Sequence, residues 1–522
     1  MKNIKRLVVM IMAVLMFAGT FSVLAEVPYH SYNYSFEGEK SDSPAGYMPD
    51  KVITGYDLGI GHFNNPNDIF VDKNNDIYIV DTDNKRIVVM DSNFNLVKVI
   101  DTFTYEGQPY DVYAPMGVFV TEDGEIYIAS HDRMDPETGA LHAEGGEVIV
   151  CDGDGVIDRF YRKPVTPYLD ENRQFQPKKV VVDSQDVIYA LSDNINEGIV
   201  SVDQDNKFLG FFGSEKVSMS AAELADYYWR KWFLNEVQIA QLVSFQPTEY
   251  SNLFIDDTDF IYTSSAYEWL KAAHIKRLNP NGANVLDSTQ KFGDMRENID
   301  AEGKVVKHAF IDVTADDDGF FFCLDKNVCR IYVYGQDSEL LMIFGGNGTE
   351  IGTFTEPVAI ENINGDILVL DKKKENLTVF ESTTYGDALR EGVKRYQKGL
   401  YSEALEPWEK VRDMNANFED AYTGIGKAQM LLASTLEEGE ESKNLYQSSM
   451  DNFYLANDRE NYSESKKEMR TISLRENFTL IFIGIIVLFV LMKVYSKFKE
   501  RINASIVKLF KNIISKIKKE GK

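Results

Sequence analysis

The residues able to do chemistry in this 522-residue chain are few and scattered. Its six histidines are His30, His62, His131, His142, His274 and His308. No two stand at HxH or HExxH spacing, which would bring two imidazoles onto one metal ion from a strand or a helix. His131 beside Asp132, and His142 two residues before Glu144, lie in one polar stretch that suits either a cation or a plain surface loop. The acidic runs DDTD at Asp256 and ADDDG at Ala315 lack the alternating Asp and distal Glu of a calcium loop, so they read as turn residues. No GxSxG, P-loop or dinucleotide fingerprint leads from a strand into a helix. The sequence therefore assigns no catalytic residue and no metal-ligand set, and calcium is the only cofactor with any foothold. Recognition chemistry is better represented. Trp229, Trp232 and Trp269 are three of the four tryptophans, and with Tyr267 they fall in two short stretches. Such rings stack on saccharide or peptide faces, or glue helices to sheet edges.

The elements that must carry these residues repeat. A phrase of apolar strand, tight turn and second apolar strand recurs from Asn65, Ala114, Gln176, Glu249, His308 and Glu356. Aligned on Tyr78, Tyr127, Tyr189, Tyr262, Phe322 and Leu368, the copies step by 49, 62, 73, 60 and 46 residues. That period belongs to propeller blades with insertions. Pro66, Pro115 and Pro177 each stand twelve residues before their tyrosine, a regularity that a β-sandwich does not produce. Turns such as Asn74-Asn75, Asp123-Gly124 and Asn364-Gly365 accept positive φ, and RIVVMDS from Arg86 and RIYVYGQ from Arg330 supply third strands. A single blade cannot bury both faces of its sheet, so six must stack around an axis. The funnel is then lined by residues at the start of each innermost strand: Asp68, Met116, Lys178, Tyr250, Ser251, Phe310 and Glu356. This mixed set holds no convergent acid and base and suits recognition. An N-terminal strand from Tyr29 or Asp50 should close the last blade, which otherwise runs out of strands after Asn376.

The first copy, with NPNDIFVD, IYIVDT and NKRIVVMD, resembles an NHL repeat, and the whole chain is similar to bacterial surface NHL-propeller proteins. The resemblance implies a mainly β fold: a six-bladed NHL-type propeller, then a helical region and a membrane span. Propeller enzymes of similar fold, the lactonases and lyases, place metal ligands or a catalytic histidine in the funnel.

Helical pattern interrupts the repeats twice. Residues 218–246 open with a capping box at Ser220 and Glu223 and then show amphipathic spacing, an insertion that must sit on a rim or cap one face. In residues 384–472, Gly392, Gly399, Tyr401, Ala404 and Trp408 stand at tetratricopeptide spacings, and Gly426 follows Gly392 by one repeat length.

Residues 1–25 read as a secretory signal peptide, with an uncleaved anchor as the competing reading. Residues 476–495 read as a transmembrane helix. The tail at 496–522 is basic and amphipathic, with Ile502, Ile506, Phe510, Ile513 and Ile517 near one face, which suits the anionic inner leaflet. By the positive-inside rule the tail is cytoplasmic, and the propeller and helical region at 26–383 and 384–472 are extracellular. The net charge is −27. Setting aside +3 in the signal and +8 from Lys493 onward leaves −38 between them, which excludes nucleic acid as a partner. Three cysteines are too few for a disulfide scaffold; Cys323 and Cys329 flank a turn and form the one candidate disulfide.

These features point to a membrane-anchored extracellular binding or scaffold protein. Its propeller would recognise a ligand, a carbohydrate or cell-wall glycan first and a protein second, and its helices would contact a membrane partner such as a sugar-uptake transporter. A calcium-dependent lactonase-like hydrolase and a pure protein-interaction scaffold remain the alternatives.

Overall fold

The computed structural model describes residues 27–35, 37–135, 138–166, 169, 172–214, 250–266, 274–287, 291–299 and 302–520. The expected signal peptide, the helical insertion at 218–246 and the aromatic positions Trp229, Trp232, Tyr267 and Trp269 lie outside the described residues. Six sheets, antiparallel except for one parallel pairing of Val156–Tyr161 with Phe103–Tyr105 in the second, form a six-bladed β-propeller, their innermost strands being Pro66–Val71, Pro115–Val120, Gln176–Val182, Asn252–Ile255, Phe310–Ala315 and Pro357–Ile363. Neighbouring innermost strands touch in sequence order around a closed ring.

Local chemistry explains each blade. The turn after every innermost strand requires one residue at positive φ, and the chain supplies Asn75, Gly124, Asp186, Asp259, Gly319 and Asn364. Blade four shows three strands among the described residues, ending with Ile275–Leu278; blade two's four are extended to six by the hairpin of Phe103–Tyr105 and Gln108–Tyr110, and the remaining blades have four. The recurrent Asp at the end of the second strand pins the segment that enters the blade. Asp81, fully buried, accepts from Asn64 N at 2.7 Å and from Arg86 Nε at 2.7 Å. Asp371 does the same for Thr355 N at 2.6 Å. This accounts for the Asp and Arg of the first copy's VDTDNKR phrase.

The ring closes as the sequence requires. Tyr47–Thr54 pairs antiparallel with Asn376–Ser382 and becomes the outer strand of blade six. Ahead of it, a hairpin of Tyr32–Tyr34 and Lys40–Asp42 delivers two tyrosines to the buried Asp294. That carboxylate accepts from Tyr32, from Tyr34 at 2.5 Å, from Tyr332 at 2.8 Å and from Arg330 at 3.0 Å. Burial alone would raise the Asp294 pKa, yet the hydrogen bonds from Tyr32, Tyr34, Asn298 and Tyr332 outweigh it and hold the carboxyl below its usual range.

The candidate disulfide is absent: Cys151, Cys323 and Cys329 are free and buried. In blade five the ladder places Cys323 opposite Tyr332, while Cys329 sits in the turn at φ 54° with its thiol toward the Lys326 carbonyl at 3.3 Å. The register thus separates the two sulfurs along the hairpin.

Six helices follow among the described residues: α1 (Thr384–Gln397), α2 (Tyr401–Met414), α3 (Glu419–Thr435), α4 (Glu440–Leu455), α5 (Arg459–Glu476) and α6 (Phe478–Glu520). The chain forms two compact units. One holds the propeller, α1 as far as Lys394 and the stretch Asp413–Phe418; the other holds Arg395–Arg412 and everything from Glu419. In the first, α1 buries Tyr385, Leu389 and Val393, and a Cβ at Gly386 would stand 2.2 Å from the Gly46 carbonyl oxygen, so only glycine allows this approach. In the second, Gly424 faces Trp408 and Gly426 faces Phe453, where a Cβ would come within 2.5 and 2.7 Å of the rings. Within α6, Phe478–Arg501 has mean hydropathy 2.6 and none of it is buried, so it is long and apolar enough to span a membrane.

Candidate ligand-binding site

The propeller axis is built from one repeated position. In five blades the innermost strand carries a register shift at its start, and the residue after it points inward; across the ring this position reads Asp68, Gly117, Lys179, Asn252, Asp312 and Ala359. The acids use the small residue in the next blade. Asp68 accepts from its own Ile69 N at 2.9 Å and, past Gly117, from Val118 N of blade two at 2.9 Å. Asp312 accepts from Val313 N at 2.8 Å and, past Ala359, from Ile360 N of blade six at 2.7 Å. A Cβ at Gly117 would lie 2.5 Å from the Lys178 carbonyl oxygen. Lys179, reaching in from blade three, pairs with Asp68. These carboxylates therefore stitch blade to blade.

Two residues further along each strand the axis reads Phe70, Phe119, Val181, Phe254, Thr314 and Glu361. Four apolar side chains fill one side, with the Phe70 and Phe119 rings 4.9 Å apart. On the other, Thr314 donates to Glu361 at 2.9 Å. Burial, then the nearby Asp312, push the Glu361 carboxyl up to about 8 against the pull of Lys179. Burial likewise pushes Asp312 up to about 7. Lys179 is also raised, because Asp68, Asp312 and Glu361 outweigh the burial that works against its charge.

Beyond this layer the axis opens into a bowl of about 1110 Å³ ringed by the first turn of every blade. Fourteen of its lining residues are Asp or Glu and three are Lys or Arg, so the bowl is strongly acidic. The turns explain part of this. Asp72 caps its turn by accepting from Asn74 N and Asp76 N, each at 2.8 Å, and Asp183, Asp256 and Asp316 repeat the arrangement. The DDTD and ADDDG runs are therefore turns, as their spacing implies. The three cations are the chain's own: Lys73 on Asp257, Arg390 at 3.6 Å from Asp316, and Lys394 at 2.6 Å from Asp318, the last two from α1.

The funnel residues expected from the sequence divide. Asp68 lies on the axis. Met116, Lys178 and Ser251 sit half-buried at the opposite mouth, with Lys178 on Asp193 at 2.7 Å and Ser251 Oγ accepting from Ala266 N at 2.8 Å. Asp193 also meets His131 at 3.4 Å, and burial notwithstanding, His131 and Lys178 hold it down to about 2. Glu356 pairs with Lys326 at 3.2 Å on the rim. Tyr250 and Phe310 do not face the funnel. Tyr250 is buried with its hydroxyl on the Gly213 carbonyl, and Phe310 is fully buried with His308 stacked on it, because blades four and five use the proline position for core aromatics. Lys179, Asp312, Glu361 and the bowl acids were missed. Their signal was a charge inside an otherwise apolar innermost strand, as in PKKVVV and FIDVTA. Among the described residues no group of three or more His, Cys, Asp or Glu is arranged to hold a metal ion.

Comparison with known proteins adds little beyond the fold. An NHL repeat model matches residues 63–90, the first blade. No curated protein matches. Several solved structures are similar at low identity. Virginiamycin B lyase from Staphylococcus aureus is 12% identical over 62% of this chain and 97% of its own, TM-score 0.36. An auxiliary nutrient binding protein from Bacteroides ovatus is 13% identical over 68% and 77%, TM-score 0.38. The PQQ-bound aldose sugar dehydrogenase from Streptomyces coelicolor is 8% identical over 65% and 98%, TM-score 0.36. At these values the likeness carries no function, and what the chain possesses is one recognisable NHL repeat within a six-bladed propeller.

Proposed function

We propose that this is a membrane-anchored binding protein, held by α6 with its basic tail in the cytoplasm, whose propeller presents a ligand site to the exterior. The observation that carries the reading is the bowl: a wide, polar concavity on a rigid ring, whose axial charges are already engaged in holding blades together. Carboxylates accept the hydroxyl donors of a sugar, and Phe70 and Phe254 supply apolar surface at the floor. A carbohydrate or cell-wall glycan is accordingly the ligand class. The helical unit, whose glycine-to-aromatic contacts suit tetratricopeptide-like pairing, would serve a membrane partner such as a sugar-uptake transporter. A glycan array probed with the detergent-solubilised full chain tests the ligand class. Saturable binding to a defined glycan set supports it, and a blank array from well-folded protein removes it.

A further inference from the structure

We propose that the bowl selects glycans bearing cationic amino groups, and that Glu361 at its floor exchanges its proton for such a group. The inference rests on the reading of the bowl as the ligand site. Glu361 is only 8% exposed, and that small surface lines the bowl. Its Oε2 accepts from Thr314 Oγ1 at 2.9 Å and from Asn362 N at 3.2 Å, while Oε1 has no hydrogen-bond partner among the described residues. Oε1 is therefore the oxygen left to meet a ligand on the bowl side.

The chain already shows what the bowl accepts. Lys73, Arg390 and Lys394 each place a cation on its acids, so ammonium and guanidinium groups fit this lining. With Glu361 neutral, the other thirteen lining acids still outnumber these three cations by ten. A neutral glycan would satisfy hydrogen bonds there but leave that charge standing; a cationic one answers both.

The charged groups facing Glu361 are Asp312 from blade five, Lys179 from blade three and Asp68 from blade one. Burial and, after it, Asp312 and Asp68 keep Glu361 protonated at neutral pH, while Lys179 pulls the other way. A cation arriving at Oε1 favours the ionised form, so the proton leaves to solvent as the ligand enters. Binding then tightens with rising pH, about tenfold per unit below the Glu361 pKa, and levels off above it.

The full chain in detergent is titrated with N-acetylated chitohexaose, with permanently charged N-trimethylated chitohexaose, and with a tetra-arginine peptide, between pH 6 and 9. The expected result is that the trimethylated sugar binds at least tenfold more tightly than the acetylated one. Its affinity climbs with pH, and calorimetry in phosphate and in Tris gives about one proton released per ligand. Glu361→Gln flattens the pH profile and abolishes the proton release. Equal or tighter binding of the acetylated sugar overturns the cation preference and leaves the glycan reading standing. Binding of tetra-arginine with neither sugar bound keeps the cation preference and overturns the glycan. A pH slope that survives in Glu361→Gln overturns the role of this residue, and no binding of any probe overturns the whole proposal.

Discussion

Replacing Glu361 by Gln should stabilise the propeller at alkaline pH and leave it unchanged at acid pH. Gln keeps the acceptor for Thr314 and cannot ionise. In the wild type the carboxyl titrates near 4.5 in the unfolded chain and near 8 on the axis. Because the folded value is the higher one, stability is greatest below pH 4.5, falls as pH rises, and stops falling near pH 8. At about 1.36 kcal/mol per pH unit, the accumulated cost is about 5 kcal/mol. A propeller of about 350 residues unfolds with an entropy of about 0.7 kcal/mol/K, so the cost corresponds to about 7 °C in Tm. Paired thermal melts of wild type and Glu361→Gln at pH 5, 7 and 9 read this directly. The two Tm values should coincide at pH 5 and diverge by several degrees at pH 9, with Gln the higher. Parallel curves, or a Gln protein less stable throughout, would refute the protonated axial carboxyl.

Three further outcomes follow from the same geometry. Gly117→Val drives a Cβ against the Lys178 carbonyl and separates blades two and three; chemical denaturation should show a loss of about 2–3 kcal/mol, comparable to core overpacking. Removing residues 27–60 takes away the Tyr47–Thr54 strand and the tyrosines on Asp294, so the truncated chain should lose its cooperative melt; an unchanged Tm would show that the ring closes otherwise. Burial pushes the Cys151 thiol up to about 12 and the Cys329 thiol up to about 11. A thiol reagent should therefore react slowly with native protein and count three thiols after denaturation, and a count of one would restore the disulfide.

The fold was legible because its punctuation repeats. Turn residues that accept positive φ, prolines at the start of the first strand and Ile-Tyr at the start of the second each answer a local requirement, so Asn75, Pro66 and Tyr78 announce a blade without any knowledge of its neighbours. Closure by Tyr47–Thr54 was legible for a similar reason, since a blade short of one strand leaves an edge. The axis was harder to read. Asp68 was recognised as inward-facing, but its role depends on Gly117 in the next blade and on Lys179 two blades away, and no local pattern records that conjunction. Tyr250 and Phe310 misled because alignment by offset ignores side-chain direction: at their positions the chain turns an aromatic into the core. The bowl's acids were visible as turn residues, and their convergence appears only once six turns are arranged around one axis.

Occupation of the bowl by ligand is what the proposed function requires first. The decisive measurement is the affinity of the full chain for its array-identified glycan before and after reversing charge at two exposed rim positions, Glu122→Lys with Asp123→Lys. A ligand held in the bowl predicts at least a tenfold loss, about 1.4 kcal/mol, with the melting behaviour retained. Undiminished affinity in the charge-reversed protein would contradict the central claim.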